Sequence, residues 1–361
     1  FIFHSVLLSM FTAETYMQRC LELANRGMGR VAPNPMVGAL IVHDNRILAE
    51  GWHAQYGGPH AEVHCIESLN NADRALLPAS TLYVSLEPCC HHGKTPPCTD
   101  LIIASGIKQV VVGCLDPFEK VRGTGIQRLQ DAGIDVITGV LEKECQWINR
   151  RFITFHQRKR PHIILKWAQT ADGFIAGPQK QRLSISQQMT NRLVHHWRTE
   201  EMAILVGYNT VVMDDPLLTT RFWPGKNPIR LVIDTMGALP TGKKIFNADA
   251  PTMVFSFVVN KHPEIKTLLL TDKHRAITEQ VLEQLFNQSV QSVLIEGGRH
   301  TLSSFMDAGF WDEIRVITNT KMEVGEGFPG PVLPTNAVRF EEIRLADDVI
   351  HYYRKDTHGH T

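Results

Sequence analysis

The chain has no net charge: 37 lysines and arginines balance 37 aspartates and glutamates. Without a basic excess it shows no electrostatic footprint for a nucleic-acid backbone, and a small-molecule substrate suits it better. It also has no apolar run long enough to cross a membrane. The opening stretch Phe-Ile-Phe-His-Ser-Val-Leu-Leu-Ser-Met is apolar but too short for a bilayer, and it carries neither a positive flank nor a cleavage site. Met10 is therefore expected as the start of translation, with residues 1–9 an upstream extension. Internal repeats and low-complexity tracts are missing too. The seven cysteines are an odd number, which speaks against a disulfide framework and for free thiols in a reducing cytoplasm. What is there is an ordinary globular composition over 361 residues, a length that favours two domains.

The first half alternates helical and extended patterns. In residues 13–26, Tyr16, Met17, Cys20, Leu21, Leu23 and Ala24 recur at helical spacing, and Gly27 closes the run. Pro33-Asn34-Pro35 is a loop, because each proline drives its predecessor out of helical backbone. Residues 37–42 and 47–51 read as hairpin strands around Asp44-Asn45. Residues 60–69 look helical, 81–86, 110–114 and 134–138 extended, and 123–132 a crossover helix. This order predicts an α/β sandwich with a largely parallel sheet, spanning residues 10–148.

A set of metal ligands falls on this frame. His60-Ala61-Glu62 opens the helix at 60–69, Glu87-Pro88-Cys89 follows the strand at 81–86, and Cys98 comes after a further eight residues. One imidazole and two thiolates leave the fourth tetrahedral position of a zinc ion to water, whereas a structural zinc is normally closed by four side chains. Glu62 supplies a carboxylate that can move protons without binding the metal. That is the layout of zinc deaminases of nucleobases, although their usual Cys-x-x-Cys is stretched here by the insert Cys90 to Pro97. Helix starts near the thiols would favour ionised sulfur. Two blander readings stand beside this one: a closed structural site completed by His91 or His92, and Glu62 as a favourable charge at a helix start. Cys90 could compete for the metal.

Arg150-Arg151 through Arg158-Lys159-Arg160 is a basic run and reads as a solvated linker. A second α/β pattern follows over residues 160–357. Strands are expected at 162–167, 203–206, 229–233, 253–257, 293–295 and 313–318, and helices at 188–199, 278–287 and 301–308. This half has no zinc ligands and needs a function of its own. Gly297-Gly298 after a strand would let backbone N–H groups approach phosphates, and a plain strand-to-helix turn accounts for the pair equally well.

The motifs Pro33-Asn34-Pro35-Met36-Val37-Gly38, Pro59-His60-Ala61-Glu62-Val63-His64 and Leu86-Glu87-Pro88-Cys89 through Cys98 resemble those of one family, the bifunctional deaminase/reductases of riboflavin biosynthesis. The second half resembles it through Leu165-Lys166, Asp172-Gly173, Ala203 to Gly207, Asp214-Asp215-Pro216-Leu217-Leu218-Thr219-Thr220-Arg221 and Leu294-Ile295-Glu296-Gly297-Gly298. The likeness runs from Tyr16 to about residue 355. It implies a cytidine-deaminase-like α/β/α sandwich followed by a dihydrofolate-reductase-like α/β domain, so a missing Gly-x-Gly-x-x-Gly fingerprint is no objection to a dinucleotide. It implies hydrolytic loss of the 2-amino group from a diamino-pyrimidinone ribosyl phosphate, then NADPH-dependent reduction of ribosyl to ribityl.

The same resemblance assigns residues. Zinc falls to His60, Cys89 and Cys98, proton transfer to Glu62, and the deaminase substrate to Asn34, His53, Lys94 and Asp116. In the second half it gives NADPH to Ala168, Thr210, Asp214, Thr235 and Gly298, and the reductase substrate to Lys166, Arg198, Leu218, Arg221 and Glu296. Arginines suit a phosphate because the guanidinium binds it in a bidentate way. His195 and His196 read as surface or core histidines. Three departures from the family pattern stand out: Phe118-Glu119 after Asp116-Pro117, Phe174 for a lysine, and Ser184 for a tryptophan. The alternatives are a deaminase whose reductase half has lost activity and a nucleic-acid-editing zinc deaminase. The expected partner is a small molecule, without nucleic acid or membrane, and a homo-oligomer is compatible with the sequence.

Overall fold

The computed structural model describes residues 12–91, 96–118, 122–259 and 262–356. The extension expected at residues 1–9, together with His92, Lys94 and Glu119, lies outside the described residues. The chain divides into two compact units between Arg158 and Lys159.

The first unit opens with α1 (Ala13–Asn25), started by Thr12, whose hydroxyl accepts the Thr15 N–H at 3.3 Å. β1 (Gly38–His43) and β2 (Arg46–Trp52) form a hairpin whose turn residues Asp44 and Asn45 both adopt positive φ, as a two-residue turn between twisted strands needs. Next come α2 (Ala61–Glu67), β3 (Thr81–Leu86), α3 (Cys98–Ala104), β4 (Gln109–Cys114), α4 (Thr124–Asp131), β5 (Asp135–Thr138), α5 (Glu142–Ile148) and α6 (Arg150–Arg158). The sheet runs β2-β1-β3-β4-β5. Alternation along β1 sends Ala39 and Ile41 to the core with Ile66, Ile102 and Leu129, and Leu40 and Val42 to the core with Met17, Leu21 and Cys145. Helices therefore cover both faces. Each fully buried Leu or Met in these cores contributes about 1.5–3 kcal/mol.

Two expectations need correction. The sheet is mixed: β3, β4 and β5 are parallel, but β1 is antiparallel to both β2 and β3. β2 and β3, joined across α2, run the same way, and β1 sits between them reversed to both. The basic run at 150–158 is the helix α6, which buries Arg151, Thr154 and Phe155 at i, i+3 and i+4. Its charged residues hid that spacing.

The second unit contains β6 (His162–Thr170), β7 (Phe174–Ala176), α7 (Gln188–Glu200), β8 (Ala203–Gly207), α8 (Tyr208–Asp214), β9 (Ile229–Ile233), β10 (Thr252–Ser256), β11 (Lys266–Leu269), α9 (Ile277–Asn287), β12 (Ser292–Ile295), α10 (Arg299–Asp307), β13 (Glu313–Asn319), β14 (Phe328–Pro329), β15 (Ala337–Leu345) and β16 (Asp348–Lys355). Its nine-stranded sheet has the order β11-β10-β9-β8-β12-β6-β13-β16-β15. The strands are parallel as far as β13, and β16 and β15 are antiparallel. Val281 and Leu285 of α9 and Phe305 of α10 pack on one face, and Val194 and Trp197 of α7 on the other. Sequence patterning missed α8, β11 and the β15–β16 hairpin. Edge strand β15 carries Arg339, Glu341, Glu342 and Arg344, charges that discourage pairing with another chain and leave little apolar alternation to find. Among the described residues no helix is long and apolar enough to cross a membrane.

Candidate active sites

In the first unit the ligand set converges at the carboxyl end of β3. His60 caps the start of α2, Cys89 lies just beyond β3, and Cys98 is the first residue of α3. His60 Nδ1 is 3.6 Å from Cys89 Sγ and 3.3 Å from Cys98 Sγ, and the three donor atoms lie within 4.8 Å of one another. A tetrahedral ion with Zn–S about 2.3 Å and Zn–N about 2.0 Å sets such donors about 3.5 Å apart, so this set fits zinc. The Cys98 N–H donates to Cys89 Sγ at 3.3 Å. The two thiols share a proton, and Cys89 is the first to ionise: hydrogen bonds from Cys98 and His60 draw it down to about 4 against its burial, while the same sharing and burial push Cys98 up. Bonding to Cys89 raises His60.

Glu62 is 4% exposed, and burial pushes its carboxyl up to about 7, with the Cys89 sulfur adding to the rise. His53 is also buried; its Nδ1–H donates to the Pro59 carbonyl at 2.8 Å, which leaves Nε2 to accept from Asn34 Nδ2 at 3.1 Å. Burial lowers His53, so the ring stays neutral. Its edge meets the His60 ring at a centroid distance of 5.5 Å. Asp116 follows β4 and is raised by burial. Cys90 turns its thiol to Thr124 Oγ1 at 2.9 Å, and His91 is exposed. Neither joins the cluster of ligands.

In the second unit a cavity of about 710 Å³ opens at the carboxyl ends of β8, β9 and β12. Thr210, Asp214, Thr235 and Gly298 line it together with Arg198, Leu218 and Glu296. Glu296 receives Arg198 Nε at 2.8 Å and Nη2 at 2.9 Å, and Lys166 Nζ at 3.4 Å. Burial alone would raise Glu296, but Arg198 and Lys166 outweigh it and hold the carboxyl at about 2. The Gly298 N–H donates to Thr210 Oγ1 at 3.1 Å, and the first residues of α8 and α10 both face the cavity. Two helix starts with their unpaired N–H groups suit the diphosphate of a dinucleotide. Ala168 instead packs under α7. Arg221 and Ser184 line a second cavity of about 1110 Å³, next to Thr219, whose carbonyl accepts Arg198 Nη1 at 3.0 Å. His195 is buried and lowered to about 4, by burial and then by Arg198 and Arg221, so it stays neutral.

Comparison with known proteins agrees with this geometry. Residues 10–114 match the model of the cytidine and deoxycytidylate deaminase zinc-binding region, and residues 161–348 match the RibD C-terminal domain. The riboflavin biosynthesis protein RibD of Aquifex aeolicus is 40% identical over 322 residues, covering 87% of this chain and 88% of that one. The chain belongs to the RibD family. The RibD of Escherichia coli is 35% identical over 86% of this chain and 88% of its own length. The crystal structure of the Thermotoga maritima diaminohydroxyphosphoribosylaminopyrimidine deaminase/5-amino-6-(5-phosphoribosylamino)uracil reductase superposes with a TM-score of 0.88 at 39% identity, covering 95% of this chain and 99% of that one. An Acinetobacter baumannii RibD gives 0.84 at 30% identity, covering 96% and 99%.

As a RibD the chain is a bifunctional enzyme of riboflavin biosynthesis, with a zinc-binding deaminase domain followed by an NADPH-dependent reductase domain of dihydrofolate-reductase-like fold. Sequence reasoning missed two features of its sites. Arg182 lines the reductase cavity and its Nη1 reaches the Asp214 carbonyl at 3.5 Å, with no pattern in the sequence to announce it. Glu87 has no role in the motif reading, yet it is 4% exposed and accepts three backbone N–H groups. An acid directly after an apolar strand was the available signal.

Proposed function

We propose that residues 10–148 hydrolyse the 2-amino group of 2,5-diamino-6-(5-phosphoribosylamino)pyrimidin-4(3H)-one and that residues 160–357 then reduce the ribosyl chain of the product to ribityl. The observation that carries the reading is the buried Glu62 beside the converging donors of His60, Cys89 and Cys98. Zinc held by those three ligands would make a water molecule acidic near neutral pH. Glu62 would relay both protons of the attacking water in turn, the first to the ring nitrogen, where it stays, and the second to the amino group, which leaves as ammonia when its bond to the ring carbon breaks. Asn34 and the neutral His53 orient the pyrimidine, Asp116 holds a polar substituent of the ring, and Lys94 pairs with the phosphate.

In the reductase, Thr210, Asp214, Thr235 and Gly298 form the cofactor side, and NADPH supplies the reducing equivalents; Ala168, packed under α7, stands apart from them. Lys166, Arg198 and Glu296 form a fixed charge cluster that orients the sugar. Arg221 takes the phosphate, and Leu218 packs against the substrate. A small-molecule reaction of this kind needs no nucleic acid and no membrane. Free thiols and NADPH suit the cytoplasm, and a homo-oligomer is compatible with it.

The test follows ammonia release and NADPH consumption together in zinc-loaded protein given the pyrimidine substrate. Both signals in sequence support the proposal. Ammonia without NADPH loss confines activity to the first unit, and no ammonia with zinc bound rejects the substrate.

A further inference from the structure

The chemistry above leaves Glu87 unused, although it is a buried acid two residues from a metal ligand. Its Oε2 accepts the N–H of Asp116 at 3.1 Å and of Gly123 at 2.9 Å, and its Oε1 accepts the N–H of Gly125 at 2.9 Å. Gly123 and Gly125 belong to the start of α4, where N–H groups have no partner within the helix and a negative charge is favourable. The third donor, Asp116, is the residue read above as a substrate contact. One carboxylate therefore joins the ligand turn, the substrate loop and the head of α4.

Packing at this junction is tight. A Cβ added to Gly125 would lie 2.2 Å from the Pro88 carbonyl oxygen, and Thr124 meets Cys90 Sγ at 2.9 Å. Asp116 Oδ1 accepts the Phe118 N–H at 2.8 Å, which ties the orientation of the carboxylate to its own backbone. The backbone position of Asp116 thus decides where that carboxylate sits, and Glu87 holds that backbone.

We propose that Glu87 is a positioning residue for deamination, setting Asp116 against the substrate without touching the substrate itself. The inference rests on the reading of Asp116 given above. A glutamine of the same size has one acceptor oxygen and one NH2 group. The NH2 would face an N–H donor, and at least one of the three bonds would be lost.

Glu87→Gln, Asp116→Asn and the double variant are compared in the full-length, zinc-loaded protein. KM and kcat for ammonia release, zinc content and NADPH-dependent reduction of the deaminated intermediate are measured for each. Glu87→Gln is expected to raise KM about tenfold, the size of one lost charge-assisted hydrogen bond, with kcat, zinc content and reduction kept. The double variant should be no worse than Asp116→Asn alone, because both changes act through one contact. Glu87→Asp, which keeps an acceptor-only head on a shorter stem, should fall between wild type and Glu87→Gln, and it serves as the test variant if the glutamine form does not fold. Additive losses, a fall in kcat with loss of zinc, or an unchanged KM in both Glu87 variants overturns the proposal. An unchanged KM in Asp116→Asn alone overturns the reading of Asp116 instead, and the Glu87 route with it.

Discussion

Glu62 at the head of α2 is a buried acid, Glu296 just after β12 is one with a side chain 9% exposed, and both are among the groups assigned to chemistry. Burial works to raise both carboxyls. Around Glu62 the Cys89 sulfur adds to the rise and His60 opposes it only in part, and the group reaches about 7. Around Glu296 stand Arg198 and Lys166, and the group is held at about 2. The same residue type is therefore raised where burial and a neighbouring sulfur act together and lowered where two cationic side chains outweigh burial.

The comparison breaks most directly at Glu62. Glu62→Gln should lower deamination by about 10²–10⁴-fold while zinc stays bound and reduction of the deaminated intermediate continues. Equal loss of both activities would mean that the two sites are not independent. The matching change in the second unit is Arg198→Met, which leaves Glu296 with Lys166 alone. It should destabilise the protein by about 3–5 kcal/mol in denaturant unfolding, abolish NADPH oxidation and spare ammonia release.

The pH dependence of stability sharpens the contrast, because the signs are opposite. The folded value of Glu62, about 7, lies above its ordinary 4.5, so its contribution is fully present below that ordinary value and is lost as pH rises through about 7. Zinc-free protein should lose about 3 kcal/mol relative to Glu62→Gln as pH rises from about 4 to about 8. The folded value of Glu296, about 2, lies below 4.5, so its contribution is present above 4.5 and is lost as pH falls toward 2. Relative to Glu296→Gln, the wild type should lose a similar amount over that acid range; parallel pH profiles for wild type and variant would reject the assignment. Least affected should be Cys90→Ser, because a hydroxyl can keep the contact with Thr124. Zinc content should be unchanged, and stability should move by under about 0.5 kcal/mol; loss of zinc would show that Cys90 is a ligand after all.

The same contrast explains what could be read in the sequence. His60 and Glu62 fall at the head of α2 and Cys89 just beyond β3, while Cys98, nine positions on, is the first residue of α3. The head of α2 and the end of β3 were legible from periodicity, and the site followed from them. Lys166, Arg198 and Glu296 come from β6, α7 and the end of β12, and nothing local announces their ion pairs. Resemblance alone supplied them, and it grouped with them Arg221, which lines the other cavity. The reversed direction of β1 against β3 depends on which strand is inserted between two others, a choice made by packing of distant segments. The helix α6 is hard to see in the sequence because its buried positions, Arg151, Thr154 and Phe155, include a single apolar residue within a run of charge.

The boundary between Arg158 and Lys159 leaves every described group assigned to deamination on one side and every group assigned to reduction on the other. The covalent join therefore supplies no atom to either reaction. Its effect is on stoichiometry: one chain carries the two sets of groups in equal number.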